Sequence, residues 1–206
     1  RLTSARRPAP MHRLLILAVL VLVWGGWHWQ ATRPLRWPAG QIVDATPLQS
    51  LTTAPPFELR GFRLQPLAAF ELDARALATE RYRLDAGAAL APLDVAFGWG
   101  RMSDQSVIDR LDIRQGARFY TWAYQDPPPL APAGIVRSSA NLHLIPADAG
   151  VERQLLAIRP GQRVRLGGLL VEATAADGFR WRSSLSREDS GNGACELVWV
   201  EYVELH

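Results

Sequence analysis

The reactive side chains of this chain concentrate between Trp181 and Glu196, WRSSLSREDSGNGACE, a stretch that also holds the single cysteine. A nucleophilic cysteine needs a base to generate thiolate and donors to hold an oxyanion. Cys195 is the candidate nucleophile and His143 the candidate base. Asn141 or Asp189 could orient that base, and the amides from Gly191 to Ala194 could form an oxyanion hole. No known cysteine-hydrolase motif surrounds them. The opposing expectation is a small buried cysteine at the start of a core strand. Ser183, Ser184, Ser186 and Ser190 sit in no Gly-x-Ser-x-Gly elbow. They read as cross-strand and turn hydrogen-bonding residues.

Two further chemistries can be weighed here. Glu188, Asp189, Ser190, Asn192 and Glu196 carry side-chain oxygens that could face a calcium ion, but their spacing departs from the EF-hand pattern. Asn192-Gly193 is also a common hairpin turn pair. The four histidines, His12, His28, His143 and His206, are far apart in sequence. Neither a metal site nor a cofactor is expected. Trp99, Trp122, Trp181 and Trp199, with Arg101, Arg180, Arg182 and Arg187, supply the aromatic and guanidinium groups that interfaces favour. The candidate binding residues are therefore Trp181, Arg182, Arg187, Asp189 and Trp99. Against this, one or two of these tryptophans belong in a core and the arginines on solvated strand faces.

These residues need a scaffold. Phe57 to Leu64 starts the folded part, with a bulge or turn at Gly61. Leu67 to Ala78 alternates in part and reads as a half-buried strand, with Tyr82 to Leu84 as its possible partner. Leu93 to Gly100 is a short strand. Ser103 or Asp104 can cap a short helix through about Leu111. Arg118 to Tyr124 is a strand ended by Pro127-Pro128-Pro129. Ala140 to Ile145 puts Leu142 and Leu144 on one face and Asn141 and His143 on the other. Asp148 can cap a helix through about Ile158, stopped by Pro160-Gly161. Arg163 to Ala173 is a strand interrupted at Gly167-Gly168, and Phe179 to Leu185 is the next. The order strand, strand, strand, helix, strand, strand over about residues 67–204 resembles an oligonucleotide/oligosaccharide-binding (OB) barrel. The expected fold is mainly β (α+β): a small OB-like barrel or an open antiparallel sheet, with one or two short helices. One N-terminal transmembrane helix is expected before it.

Leu14 to Thr32 is 19 residues without a formal charge, about 28 Å as a helix. Trp24, Trp27 and Trp29 lie at its end, where an aromatic belt would sit. The expected organisation is a short basic segment (1–13), a signal-anchor (14–32), a proline-rich linker (33–56) and an extracytoplasmic domain (57–206). The competing reading of the first segment, a cleaved signal peptide, lacks a small-x-small site after the apolar core. Arg6, Arg7 and Arg13 before the span favour an N-terminus inside. That places a single-pass protein in the inner membrane with its domain in the periplasm.

Charge follows the same division. Residues 1–40 contain six arginines and no acid, which leaves 17 basic against 20 acidic residues afterwards. A mildly acidic domain makes nucleic acid a poor partner. The expected partners are the lipid bilayer, through residues 14–32, and an envelope protein. One cysteine excludes an internal disulfide.

Gly98-Trp99-Gly100, Ser139-Ala140-Asn141-Leu142-His143 and Ser183 to Glu196 together resemble a group of uncharacterised single-pass bacterial envelope proteins. The resemblance implies membrane attachment and supplies no activity. The function expected is a membrane-tethered binding or assembly module, with a hydrolase using Cys195 and His143 as the alternative.

Overall fold

The computed structural model describes residues 10–186 and 194–206. They divide into two units, one ending at Arg33 and one running from Pro34 to His206. The first contains helix α1 (Pro10–Thr32). The side chains from Leu14 to Trp24 are largely exposed, and from Leu14 to Val23 they are all apolar, so that part of the helix has no polar face. Among the described residues no helix is long and apolar enough to cross a membrane.

The second unit is mainly β. Its strands and helices are β1 (Leu48–Ser50), β2 (Phe57–Leu59), β3 (Phe62–Arg81), β4 (Leu93–Gly98), α2 (Gln105–Ile108), β5 (Leu111–Gly116), β6 (Phe119–Tyr124), α3 (Pro132–Arg137), β7 (Ser139–Pro146), α4 (Ala149–Leu155), β8 (Arg163–Thr174), β9 (Arg180–Arg182) and β10 (Glu196–Leu205). Among the described residues eight strands form one large, partly closed sheet. Five of them pair in a ring, β3–β4–β7–β10–β8 and back to β3, while β1, β2 and β9 lie off it. All ring pairings are antiparallel except β7 with β10.

Alternation makes the ring's interior. Phe70, Leu72, Ala74 and Ala76 of β3, Val95 and Phe97 of β4, Leu142 and Leu144 of β7, Leu166 and Leu170 of β8 and Val198 and Val200 of β10 share one buried cluster. Helix α4 contributes Val151 and Leu155 to it. Asp148 starts that helix as the sequence suggests, its Oδ1 accepting from the amides of Gly150 and Val151. A second apolar cluster lies on the outer face, where Leu64, Ile145, Val171 and Leu197 are covered by Phe57, Phe62, Phe179, Trp181 and Trp199.

Several local expectations change. β3 is one strand of 20 residues, long enough to pair with β8 through Arg63–Arg75 and with β4 through Arg75–Arg81. Tyr82 to Leu84 is therefore not its partner strand. The expected helix reaching Leu111 is only Gln105–Ile108, because Leu111 begins β5. The strand expected over Phe179–Leu185 is three residues long.

Glycine matters most in two places. The Cβ of an alanine at Gly168 would lie 1.9 Å from the Trp199 carbonyl oxygen, where the register of β10 shifts between Val200 and Tyr202. At Gly161 (φ +86°) a Cβ would lie 1.8 Å from the Leu35 carbonyl oxygen. That contact belongs to a strap over residues 35–43, within the proline-rich stretch. Leu35 N donates to Pro160 O, Trp37 Nε1 to Gly161 O, Gly40 N to Asp104 Oδ1, and the amides of Ile42 and Val43 to Ser103 Oγ.

Candidate functional site

β5 and β6 form a separate two-stranded sheet between β4 and β7 in the chain. Their turn has only two central residues, Ala117 (φ +49°) and Arg118 (φ +67°). Positive φ at both positions matches the twist of a two-residue hairpin, and Asn-Gly is the usual solution. Alanine and arginine carry a Cβ, so this conformation costs about 1–2 kcal/mol per residue. Local preference does not favour this turn; tertiary contacts hold it.

Those contacts centre on Arg118. Its Nη1 donates to Asp94 Oδ1 at 2.7 Å and to the Ala91 carbonyl at 3.0 Å. Nη2 and Nε make a bidentate pair with Asp85 at 2.7 and 3.2 Å. The guanidinium lies 3.7 Å from the centre of the Tyr82 ring and 5.3 Å from that of Trp181. The Arg118 amide donates to the Tyr82 hydroxyl at 2.8 Å. Burial, working against that bond, raises the Tyr82 pKa. Nearby, Gln115 accepts from the Ala96 amide and donates to Asn141 Oδ1, and Asn141 Nδ2 donates to the Arg118 carbonyl. The hairpin tip is thereby pinned to the outer face of β4 and β7.

This face carries two of the three proposed catalytic residues. His143 and Asp94 are register partners. His143 Nδ1 is 2.9 Å from Asp94 Oδ1, but out of line for a hydrogen bond. The His143 ring packs at 4.5 Å against Trp181. Cys195 lies elsewhere along the strands. Leu197 is opposite His143, so Cys195, two residues earlier, sits beside Asn141. Its Sγ is 3.6 Å from Asn141 Nδ2 and 3.9 Å from the Arg118 carbonyl oxygen. The fold thus brings Cys195 and Asn141 together and gives His143 to Asp94 and Trp181. A thiol between an amide donor and a carbonyl can exchange weak hydrogen bonds, but neither neighbour can take its proton.

The other candidates separate. Trp99 is 2% exposed and belongs to the ring's interior. It is a core residue, which corrects its assignment to a binding surface. Trp181 is half-buried and forms one wall of the Arg118 site. Arg182 is exposed and pairs with Glu172, as does Arg180. Ser183 is buried; its hydroxyl donates to the Ser184 carbonyl and accepts from the Leu197 amide. Arg187, Asp189, the Glu188–Gly193 calcium candidate and the Gly191–Gly193 part of the oxyanion hole lie outside the described residues. Among the described residues no group of His, Cys, Asp and Glu could hold a metal ion.

Sequence reasoning passed over Arg118, Asp94, Asp85 and Tyr82. One signal was present: Asp94 is the only charge in Leu93–Gly98, and a carboxylate inside an otherwise apolar strand demands a partner. Comparison with known proteins adds nothing to these assignments, because no family model, curated protein or solved structure matches the chain.

Proposed function

We propose that this protein is a membrane-tethered binding or assembly module of the bacterial envelope, built on an OB-type barrel. The ring order supports the fold reading. Numbering its strands one to five along the chain gives β3, β4, β7, β8 and β10, with α4 between the third and fourth. OB-type barrels bind along strands two and three, flanked by the one–two and four–five connections. Here that region holds Asp94, Asn141 and His143 on the strands, Asp85 on one connection and Trp181 on the other. The tether rests on the uncharged run Leu14–Thr32 and on the exposure of its aliphatic side chains.

One observation carries the choice of binding over catalysis: on this face His143 lies against Asp94 and Trp181, two strand positions away from the Cys195–Asn141 pair. Arg118 pairs with both carboxylates, and the Cys195 thiol lies near the Asn141 amide and the Arg118 carbonyl. An acid–base pair poised for substrate would leave a nucleophile facing a base.

The test is the rate of Cys195 alkylation by iodoacetamide against pH, in the full-length protein and in His143→Ala. A binding module gives slow alkylation that rises through the ordinary thiol range and is the same in both. Rapid alkylation at neutral pH that collapses in His143→Ala would establish the hydrolase alternative. Carbonate extraction of membranes tests the tether. Retention in the pellet is the expected result, and release into the supernatant would remove the membrane from the reading.

A further inference from the structure

The receptacle that holds Arg118 is complete without the hairpin that fills it. Its acceptors come from the β3–β4 connection and from β4: the Asp85 carboxylate, the Ala91 carbonyl and the Asp94 carboxylate. Its aromatic walls are Tyr82 and Trp181. Four N–H···O contacts converge on one planar group, which suits the fork of a guanidinium. An ammonium has three donors on one atom and cannot span both carboxylates in this way. The receptacle is also open on one side, since Asp85 is 39% exposed while Asp94 is fully buried.

Arg118 is held there on a conformationally costly turn, and among the described residues the hairpin that carries it pairs with no strand of the large sheet. Withdrawing Arg118 from the receptacle would break no pairing with the large sheet among the described residues, while the left-handed turn stays with the β5–β6 pairing that it closes. Two carboxylates facing one guanidinium leave the emptied site with an excess of negative charge.

We propose that Tyr82, Asp85, Asp94 and Trp181 form a guanidinium-binding site, that Arg118 is its resident occupant, and that the β5–β6 hairpin is a latch exchangeable for an arginine side chain of a basic partner segment. The proposal rests on the binding-module reading and names the chemistry of the partner. Charge complementarity selects the occupant: the site is acidic and aromatic, and it already holds this group.

The experiment uses the full-length chain with Arg118→Gly, which suits the positive φ and empties the site. Arg118→Gly should melt lower than the wild type. Millimolar ethylguanidinium should restore about half of that loss, leave the wild type unshifted and have no effect on Arg118→Gly/Asp94→Asn; ethylammonium should restore little. An acetylated, amidated Gly-Arg-Gly peptide should bind Arg118→Gly about tenfold more tightly than the wild type, where the latch competes. Its citrulline counterpart should bind neither. Equal responses of variant and wild type to ethylguanidinium, or equal peptide affinities, would overturn the site. If Arg118→Gly does not fold alone, its folded yield on refolding with ethylguanidinium gives the same readout, and no gain in yield counts against the site. Failed rescue with an inert Cys195 removes the latch and leaves the binding-module reading. A reactive Cys195 with successful rescue does the reverse.

Discussion

Arg118 and Asp94 meet across two different sheets, a guanidinium Nη1 2.7 Å from a carboxylate oxygen whose side chain has no solvent exposure. Removing one member of a buried pair strands the other charge, which costs about 3–5 kcal/mol. Arg118→Ala and Asp94→Ala should each lower stability in urea unfolding by an amount approaching that range. The double variant should lose much less than the sum. Additive losses would show that the pair is not coupled.

The close approach at Gly168 gives a second expectation. The obstacle to a Cβ there is the Trp199 backbone carbonyl, which cannot rotate away as a side chain can. Gly168→Ala should therefore destabilise by about 2 kcal/mol or more, as overpacked interiors do. Gly116→Ala, with nothing within 4 Å of the added carbon, should change stability by less than about 1 kcal/mol. Thermal melts of the two variants measure the contrast.

Glu172 sets a pH dependence. Hydrogen bonds from Arg182 first and Arg180 second hold its pKa below the ordinary 4.5. A carboxyl lowered in the folded state adds stability that is complete well above 4.5 and is lost as pH falls through the folded value. Glu172→Gln should thus be less stable at pH 7 and show a flatter acid limb below about pH 5. Both arginines are more than half exposed, so the difference at pH 7 should stay under about 1 kcal/mol. An unchanged acid limb would remove the ion pair from the stability of β8 and β9.

Cys195 offers a fourth. Its thiol makes long contacts to Asn141 and the Arg118 carbonyl. Cys195→Ala should cost about 1 kcal/mol, the loss of a small apolar group and weak hydrogen bonds. In intact cells, a membrane-impermeant maleimide should label Cys195 slowly before denaturation and fully after it. Native labelling by a permeant reagent alone would put the domain on the other side of the membrane.

The sequence by itself determined part of the punctuation of this chain. Asp148 caps α4, because a cap is a backbone requirement that a residue type meets locally. Helix α4 ends at Leu155, short of Ile158 and Pro160-Gly161, and β8 runs unbroken through Gly167-Gly168, where the glycine pair predicts an interruption. Polarity alternation likewise put Leu142 and Leu144 on one face and Asn141 and His143 on the other. Tertiary structure alone decided the partners. A period of two says which side chains share a face, but not which strand lies alongside or whether a second layer covers the outside. Trp99 is therefore expected on a binding surface and is core, and the polar face that carries Asn141 and His143 is buried beneath the hairpin tip and Trp181. Arg118 was the least legible. Its importance comes from Asp94 and Asp85, 24 and 33 residues away in sequence, and from a turn that its own residue types do not favour. A charge pair at that separation leaves no periodic trace, so only the folded chain reveals it.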